Sequence, residues 1–336
     1  MSDRSGIRRE IRYLHRRLEP YCPTIAAPTD KGPARASSSP TSTLPLAALG
    51  LVVVLWGAGP VVTKLITVHP LIGVCARFVL SIPLLYAIVA LRGRRVDAAT
   101  YRAAALPGLA FGVNLIFVFA AVQEVAVAVL SVLVALQPAV LLVVAGRLLG
   151  ERATRVQVGW TLIGVAGTAV LILGADDDLR ASPIGIGYGL LSLATFMVYF
   201  VLTRRARATT DVDPVEWMTA INVWSLVAAL VPSVLIVRPD DFDDFAGDDL
   251  FWLFVLAYLT GVAGHVLMSW VHGFVEASRS ALYLLGMNVV AIAMAWPVHD
   301  EPVNVVQIAG GLVVLIAVAS VIRLPAHTTA DEVSSG

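Results

Sequence analysis

Long apolar segments constrain this chain more than any other feature of its sequence. From Leu44 onward, stretches of about 20 apolar residues alternate with short polar breaks, and about 20 such residues let an α-helix cross a hydrocarbon core roughly 30 Å thick. Charged residues make up only 14% of the chain, against about 25% in soluble domains. The sequence therefore predicts an all-α polytopic membrane protein. The ten predicted transmembrane helices are residues 45–66, 70–91, 103–123, 126–146, 156–174, 184–203, 217–237, 250–271, 279–297 and 303–322.

Charges in the breaks between these spans predict the orientation. Arginines gather in alternate breaks, whereas the intervening breaks hold the clusters Asp176–Asp178 and Asp240–Asp249. Because Lys and Arg are retained on the cytoplasmic side, the arginine-rich breaks are placed inside. This arrangement predicts a multi-pass protein of the cell (inner or plasma) membrane with both termini cytoplasmic.

The two ends of the chain lie outside the apolar region. Residues 1–44 combine a basic stretch, in which Ile7, Ile11 and Leu14 recur at helical spacing, with a Pro-, Ser- and Thr-rich linker. Three interpretations stay open for this segment: a helix lying on an anionic membrane surface, a disordered leader, or a mis-chosen start codon. Residues 323–336 are predicted to be a short cytoplasmic C-terminal tail.

A polar landmark recurs along the chain at an offset of 150 positions. Glu151 and Gln157 follow the predicted fourth span, and Glu301 and Gln307 follow the ninth. Each half would contain five helices, so the second copy must enter the membrane upside down. The sequence therefore predicts two inverted five-helix repeats, at 45–174 and 184–322. Secondary transporters use such repeats and bind substrate at the interface between them.

Several short motifs occur in a fixed order along these spans. They are Trp56-Gly57 and Lys64 in the first span, Arg77 in the second, Gln137-Pro138 in the fourth, Leu149-Gly150-Glu151-Arg152 after it, and Gly159, Gly164 and Gly167 in the fifth. With ten spans, this set resembles the EamA-type members of the drug/metabolite transporter (DMT) superfamily over residues 45–322. The resemblance implies export of small metabolites, amino acids or amphipathic compounds. It also implies that the third, fourth, eighth and ninth spans line a central cavity, although Met287-Asn288 stands where a proline is expected.

Polar side chains deep in the spans are candidates for the substrate site, because they are costly in hydrocarbon and usually face the interior of a bundle. The substrate-binding candidates are the polar residues Asn114, Gln137, His265 and Asn288, the kink at Pro138, and the aromatic walls Trp56, Trp270 and Tyr283. For each polar residue the alternative is a packing role, such as an interhelical hydrogen bond worth about 0.6 kcal/mol.

His265 has a second candidate role, in proton coupling. It is placed deep in the eighth span, and histidine changes its charge near neutral pH. The alternative is a neutral histidine that bonds a neighbouring helix.

Five further residues are predicted to serve structure or topology. Lys64 is expected to extend to the outer interface, and Arg77 to hold the first two spans together, although a carboxylate-bearing substrate is the alternative partner for both. Gly150, Glu151 and Arg152 form a turn that reports orientation and caps a helix.

The predicted function is secondary active export of a small molecule by alternating access. The scattered histidines and the two cysteines, Cys22 and Cys75, predict no metal site, no cofactor and no enzyme activity. The sequence lacks the phosphate-binding loop of a primary pump, so no ATP-driven pump is predicted. It also lacks the basic, aromatic-rich patch of a nucleic-acid-binding protein, so no nucleic-acid partner is predicted. Three alternatives stay open: an importer or facilitator of the same fold, a membrane-embedded enzyme, and a scaffold or sensor acting through residues 1–44. The expected partners are a small-molecule substrate and the lipid bilayer, and a homodimer stays open.

Overall fold

The computed structural model describes seven stretches of the chain, and within them every regular element is helical. The described residues are 43–124, 135–137, 140–141, 154–173, 182–242, 247–299 and 303–322. Their helices are α1 Thr43–Thr63, α2 Pro70–Leu91, α3 Ala98–Glu124, α4 Arg155–Leu173, α5 Pro183–Thr209, α6 Pro214–Ile236, a 3₁₀-helix Pro239–Phe242, α7 Gly247–Val255, a π-helix Leu256–Ala263, α8 Gly264–Val271, α9 Ala277–Leu284, α10 Gly286–His299 and α11 Val305–Ile322.

Seven helical stretches in the described part are long and apolar enough to cross a membrane. They are Thr43–Thr63, Pro70–Leu91, Ala98–Ala121, Pro183–Thr209, Pro214–Ile236, Gly247–Val271 and Arg279–Val298, and Val305–Ser320 is a shorter apolar helix. Large aliphatic side chains cover their outer faces, and Val234 and Leu235 are each 80% exposed. The all-α prediction is confirmed. The count of ten spans stays a prediction, because most of the predicted fourth span lies outside the described residues.

Proline and a capping side chain together fix where three of the helices begin. α2, α5 and α6 each have proline at the first position, where its missing N–H costs nothing. The preceding residue accepts a hydrogen bond from a free backbone N–H of the first turn: His69 at 3.3 Å, Ser182 at 2.9 Å and Asp213 at 2.8 Å. The helices consequently begin within three residues of the predicted spans.

Glycines bring pairs of helices into close contact. A methyl group built at Gly112 of α3 would lie 2.5 Å from the carbonyl oxygen of Ser225 in α6. One at Gly57 of α1 would lie 2.8 Å from the carbonyl oxygen of Met287 in α10. Small residues permit such approach where van der Waals packing, not the hydrophobic effect, drives association.

Most of the extensive helix contacts join the first half of the chain to the second. α3 packs on α5 and α6, α2 packs on α6 and on the π-helix, α1 packs on α8 and α10, and α4 packs on α11. The two predicted repeats therefore interlock. Any site at the centre of this bundle draws its residues from both halves.

The predicted eighth span contains a π-helix that the sequence analysis did not anticipate. The stretch Gly247–Val271 is continuous, but residues Leu256–Ala263 make i→i+5 hydrogen bonds. The hydroxyl of Ser81 in α2 donates to the carbonyl oxygen of Ala257 at 3.3 Å, and the Thr260 hydroxyl donates to that of Leu256 at 2.7 Å. π-Helical turns often mark functional sites.

Ion pairs and hydrogen bonds tie the two halves together at one end of the bundle. We call this the arginine end, formed by residues 92–97, 204–216 and 269–279. Arg94 bonds Glu216, and Arg92 lies 3.6 Å from Asp213. Within the second half, Arg207 Nε of α5 donates to the carbonyl oxygen of Ser269 in α8 at 3.0 Å.

One aspartate ties the halves at the opposite end, which we call the aspartate end, formed by residues 64–69, 237–242 and 247–249. The carboxylate of Asp249, in the first turn of α7, accepts hydrogen bonds from the Thr67 backbone N–H at 2.7 Å and from its hydroxyl at 2.9 Å. Asp249 is buried. The loop after α1 is therefore held to the second half of the chain.

Candidate functional site

Four helices bring aromatic side chains together around His265. The ring of His265, in α8, is buried and shares a 3.0 Å hydrogen bond between Nδ1 and the hydroxyl of Tyr199 in α5. Its ring centroid lies 4.5 Å from that of Trp56 in α1 and 4.7 Å from that of Phe111 in α3. Phe196 of α5 completes the cluster against Trp56 and Tyr199. We call these five residues the aromatic site.

Local sequence explains how these rings meet. Phe196 and Tyr199 are three positions apart in α5, so both side chains lie on one face of that helix. Gly264 precedes His265, and a methyl group built there would lie 2.6 Å from Trp56 Nε1. The absence of a side chain at Gly264 therefore makes room for the indole ring.

Arg77 is a buried charge beside the aromatic site. Its side chain, in α2, is only 8% exposed and interacts electrostatically with Tyr199 and His265. Its Nε lies 3.4 Å from the position of a methyl group built at Gly261 of the π-helix. Within the described part of the chain, no carboxylate and no hydrogen-bond acceptor meets the guanidinium. None of the ten predicted spans contains an Asp or Glu.

Two of the predicted polar residues make local or interhelical hydrogen bonds. Asn114 Nδ2 donates to the carbonyl oxygen of Ser192 at 2.8 Å and to its hydroxyl at 3.0 Å, which joins α3 to α5. Asn288 Nδ2 donates to the carbonyl oxygen of Leu285 at 3.4 Å. Both side chains are buried. These bonds account for their burial, and a substrate-binding role for either residue stays a prediction.

The remaining predicted residues lie in different places. The ring centroids of Trp270 and Phe274 lie 4.8 Å apart. The buried hydroxyl of Tyr283 has no hydrogen-bond partner among the described residues. Gln137 is buried, and Lys64 is exposed directly after α1 ends. Pro138, Gly150, Glu151 and Arg152 lie outside the described residues.

Phe111, Phe196 and Tyr199 were not predicted from the sequence as site residues. Aromatic residues are common in membrane spans and often lie at the interface, so their presence alone carries little information. Tyr199 had one usable signal, a hydroxyl group in the interior of a predicted span. Such a group needs a partner in the bundle, and His265 is that partner.

A second buried histidine lies at the arginine end. His272 is 1% exposed, and neither of its ring nitrogens has a hydrogen-bond partner within the described ranges. Burial first, and then the charges of Arg204 and Arg207, lower its pKa to about 3, so the ring is neutral at physiological pH. The described part of the chain holds no group of three or more metal-ligating side chains that could bind a metal ion.

Membrane-length helices packed around a buried, aromatic-lined site define a multi-pass membrane protein. The profile of the EamA-like transporter family matches residues 44–173 and 183–323. The chain therefore belongs to the EamA-like transporter family, within the drug/metabolite transporter superfamily. Membership implies a small-molecule substrate, and the family is one of transporters, not typically of enzymes.

A solved structure supports the fold independently. A chain described only as "Crystal structure of protein" is 15% identical and superimposes with a TM-score of 0.69, covering 83% of this chain and 97% of its own length. At this identity the likeness shows the fold alone. A comparison with curated proteins finds no significant match.

Proposed function

We propose that this protein is a secondary active transporter that exports a small molecule by alternating access, with the substrate bound at the aromatic site. The observation that carries the proposal is that both halves of the chain contribute residues to the aromatic site. Trp56 and Phe111 come from the first family match, whereas Tyr199 and His265 come from the second. A substrate held there contacts both halves, as a carrier with its site between two repeats requires.

The pattern of helix contacts supports two inverted repeats. The 150-residue offset pairs α3 with the span α7–α8 and α4 with α11, and helix order pairs α1 with α5 and α2 with α6. When each helix is replaced by its counterpart in the other repeat, the contact between α3 and α5 becomes the contact between α8 and α1. In the same way, the contact between α3 and α6 becomes the contact between the π-helix and α2. The α2–α6 and α4–α11 contacts convert into themselves. All of these contacts occur, which is the pattern that a pseudo-two-fold axis produces.

The ties at the two ends supply the gates for alternating access. Arg94–Glu216 and Arg92–Asp213 join the two halves at the arginine end, and Thr67–Asp249 joins them at the aspartate end. Opening one end requires its ties to break while the other end stays closed. We place the arginine end in the cytoplasm of a cell with an inner or plasma membrane, because arginines are retained inside. That orientation puts both termini in the cytoplasm.

Transport by reconstituted protein tests the proposal. Purified protein in liposomes is expected to move at least one compound from a panel of labelled metabolites and amino acids. Trp56→Ala, which removes a wall of the aromatic site, is expected to lower that flux at least about tenfold, because a large aromatic contact is worth about 1.4 kcal/mol or more. Trp296→Ala removes a tryptophan that is 60% exposed and is the matched control. A folded wild-type protein that moves no compound contradicts the proposal.

Two experiments distinguish the proposed exporter from the alternative functions. An importer of the same fold would accumulate the compound, and a facilitator would only equilibrate it across the membrane. The direction of flux therefore distinguishes an exporter from both. A scaffold acting through residues 1–44 would lose its activity when residues 1–40 are deleted, whereas a transporter is expected to keep its flux.

A further inference from the structure

We propose that the substrate is an organic monocarboxylate with an apolar body, and that the Arg77 guanidinium binds its carboxylate group. This inference rests on the proposed function, because it names the substrate class of the same site. It assigns Arg77 to substrate binding in place of the structural role predicted from the sequence.

Arg77 carries a charge that the described part of the chain does not pair. A charged side chain inside a membrane is costly, faces the interior of the bundle, and is normally paired with another group. Arg77 is 8% exposed and meets no acceptor among the described residues. The sequence supplies no Asp or Glu in any predicted span, so the protein itself has no carboxylate at this depth. A bound anion would satisfy the charge.

Spare hydrogen-bond donors lie around the guanidinium of Arg77. The indole N–H of Trp56 is buried without a partner in the described part of the chain. Gly261 faces Arg77 Nε, and Gly264 faces Trp56 Nε1. The two glycines are three positions apart, so both unused donors lie against one face of the same span, about a helical turn apart.

The hydrogen bond between Tyr199 and His265 leaves one further donor in either arrangement. If the tyrosine hydroxyl donates to Nδ1, a neutral histidine carries its proton on Nε2. If Nδ1 donates instead, the hydroxyl donates to Met218 Sδ at 3.8 Å, and a thioether sulfur is only a weak acceptor. The aromatic site thus offers donors from Arg77, from Trp56 and from this pair. An ionised carboxylate, which only accepts hydrogen bonds, complements that set.

The composition of the site also selects among anions. One guanidinium balances one negative charge and binds a carboxylate through two parallel N–H···O bonds, whereas a phosphate dianion would leave a charge uncompensated. The rings of Trp56, Phe111 and Phe196 supply apolar walls for the rest of the molecule. An ammonium group would find no carboxylate in the spans, so amines are disfavoured.

Binding of matched ligand pairs tests the inference. The probes are phenylalkanoates of increasing chain length and their primary amides, which keep the shape and lose the charge. Binding to purified full-length protein is measured from quenching of tryptophan fluorescence, and flux is measured in liposomes. Wild-type protein is expected to bind at least one carboxylate at least about tenfold more tightly than its amide, since a charged hydrogen bond contributes about 1.5–3 kcal/mol.

Substitution of Arg77 supplies the decisive comparison. Arg77→Gln is expected to abolish the preference for the carboxylate, and Arg77→Lys to keep part of it, because lysine retains the charge without the fork. Arg95→Gln removes an exposed arginine and is expected to leave the preference unchanged. If Arg77→Gln does not fold, the partial preference of Arg77→Lys carries the test.

The outcomes separate this inference from the proposed function. Flux of other compounds without any preference for a carboxylate overturns the inference and leaves transport standing. A preference that survives in both Arg77 variants also overturns it. Failure of the folded wild-type protein to move any compound contradicts both the inference and the proposed function.

Discussion

His265 lies beside the unpaired charge of Arg77, and this charge affects how readily the histidine binds a proton. The other titratable groups that interact with it in the described part are Tyr199 and His272. A second positive charge next to Arg77 is unfavourable in a medium of low dielectric. A bound carboxylate would remove that penalty, so proton binding and anion binding are expected to support each other.

Replacing His265 tests its role in proton coupling. His265→Ala removes part of the aromatic site, so flux driven by a substrate gradient is expected to fall. The remaining flux is expected to lose its dependence on a pH gradient, because the titrating group is gone. Flux in liposomes with and without an imposed pH gradient measures both quantities. Tyr199→Phe, which removes the bonded hydroxyl and keeps the titrating ring, is the control. A pH-gradient dependence that persists in His265→Ala refutes the proton-coupling role.

Sequence reasoning at the residue scale identified some of the site and missed the rest for a physical reason. Trp56 and His265 were predicted as site residues, and the structure brings them into ring contact. Phe111 and Tyr199 were not predicted, because most positions in an apolar span are hydrophobic and the pattern does not show which face meets which neighbour. The charge of Arg77 was visible in the sequence, but its lack of a partner needed coordinates.

The polar landmark at the 150-residue offset proves to include two matching helix caps. Gln157 Oε1 accepts a bond from the Thr154 N–H at 2.8 Å, and Gln307 Oε1 accepts one from the Asn304 N–H at 3.0 Å. In return, Thr154 Oγ1 and Asn304 Oδ1 accept from the backbone N–H of the two glutamines. These reciprocal bonds are capping boxes at the start of α4 and α11. The glutamines recur because both helices begin in the same way.

Removing one cap is expected to destabilise its helix. Thr154→Ala deletes the acceptor for the Gln157 N–H and should cost about 0.5–2 kcal/mol of stability. Thr154→Ser keeps the hydroxyl and is the matched control. The apparent Tm in detergent measures the effect. Equal Tm values for the alanine and serine variants would show that the capping bond contributes nothing.

Close helix contacts at glycine limit which substitutions the bundle tolerates. Gly112→Ala would place a methyl group 2.5 Å from the Ser225 carbonyl oxygen, a backbone atom that cannot swing aside. Overpacking of this kind costs about 1–3 kcal/mol, so a lower apparent Tm is expected. Gly159→Ala meets no atom within 4 Å and should leave Tm unchanged or raise it. An unaltered Tm in Gly112→Ala would mean that α3 and α6 can separate freely.

Helix positions were predictable to within a few residues, whereas the π-helix was not. Apolar length, proline and capping residues are local properties, so they mark where spans begin. The change from i→i+4 to i→i+5 bonding in Leu256–Ala263 leaves no mark in a sequence where nearly every residue is apolar. Its contacts with α2, including the bond from Ser81 to Ala257, join residues far apart in the sequence, so no local pattern records them.

At the scale of the whole molecule, the described ties close both ends of the bundle, and their relative strength sets which end opens more readily. The pair Arg94–Glu216 involves a half-exposed arginine, and such surface pairs are weak because water screens them. The two bonds from Thr67 to Asp249 involve a buried carboxylate, and bonds to charged groups contribute about 1.5–3 kcal/mol each. The arginine end is therefore expected to open more easily.

Weakening the ties at the arginine end should increase the population that is open at that end, and weakening those at the aspartate end should decrease it. The reason is that a conformational equilibrium follows the difference in stability between its states. A cysteine at position 269, which is buried at the arginine end, reports opening there through its rate of reaction with a polar maleimide, after Cys22 and Cys75 are replaced by serine. Glu216→Gln is expected to raise that rate about 1.5- to 5-fold, and Asp249→Ala to lower it by favouring opening at the aspartate end. Arg95→Gln, an exposed position without a tie, controls for surface charge. Rates that rise in both gate variants would indicate general loosening of the bundle and would contradict alternating access between these two ends.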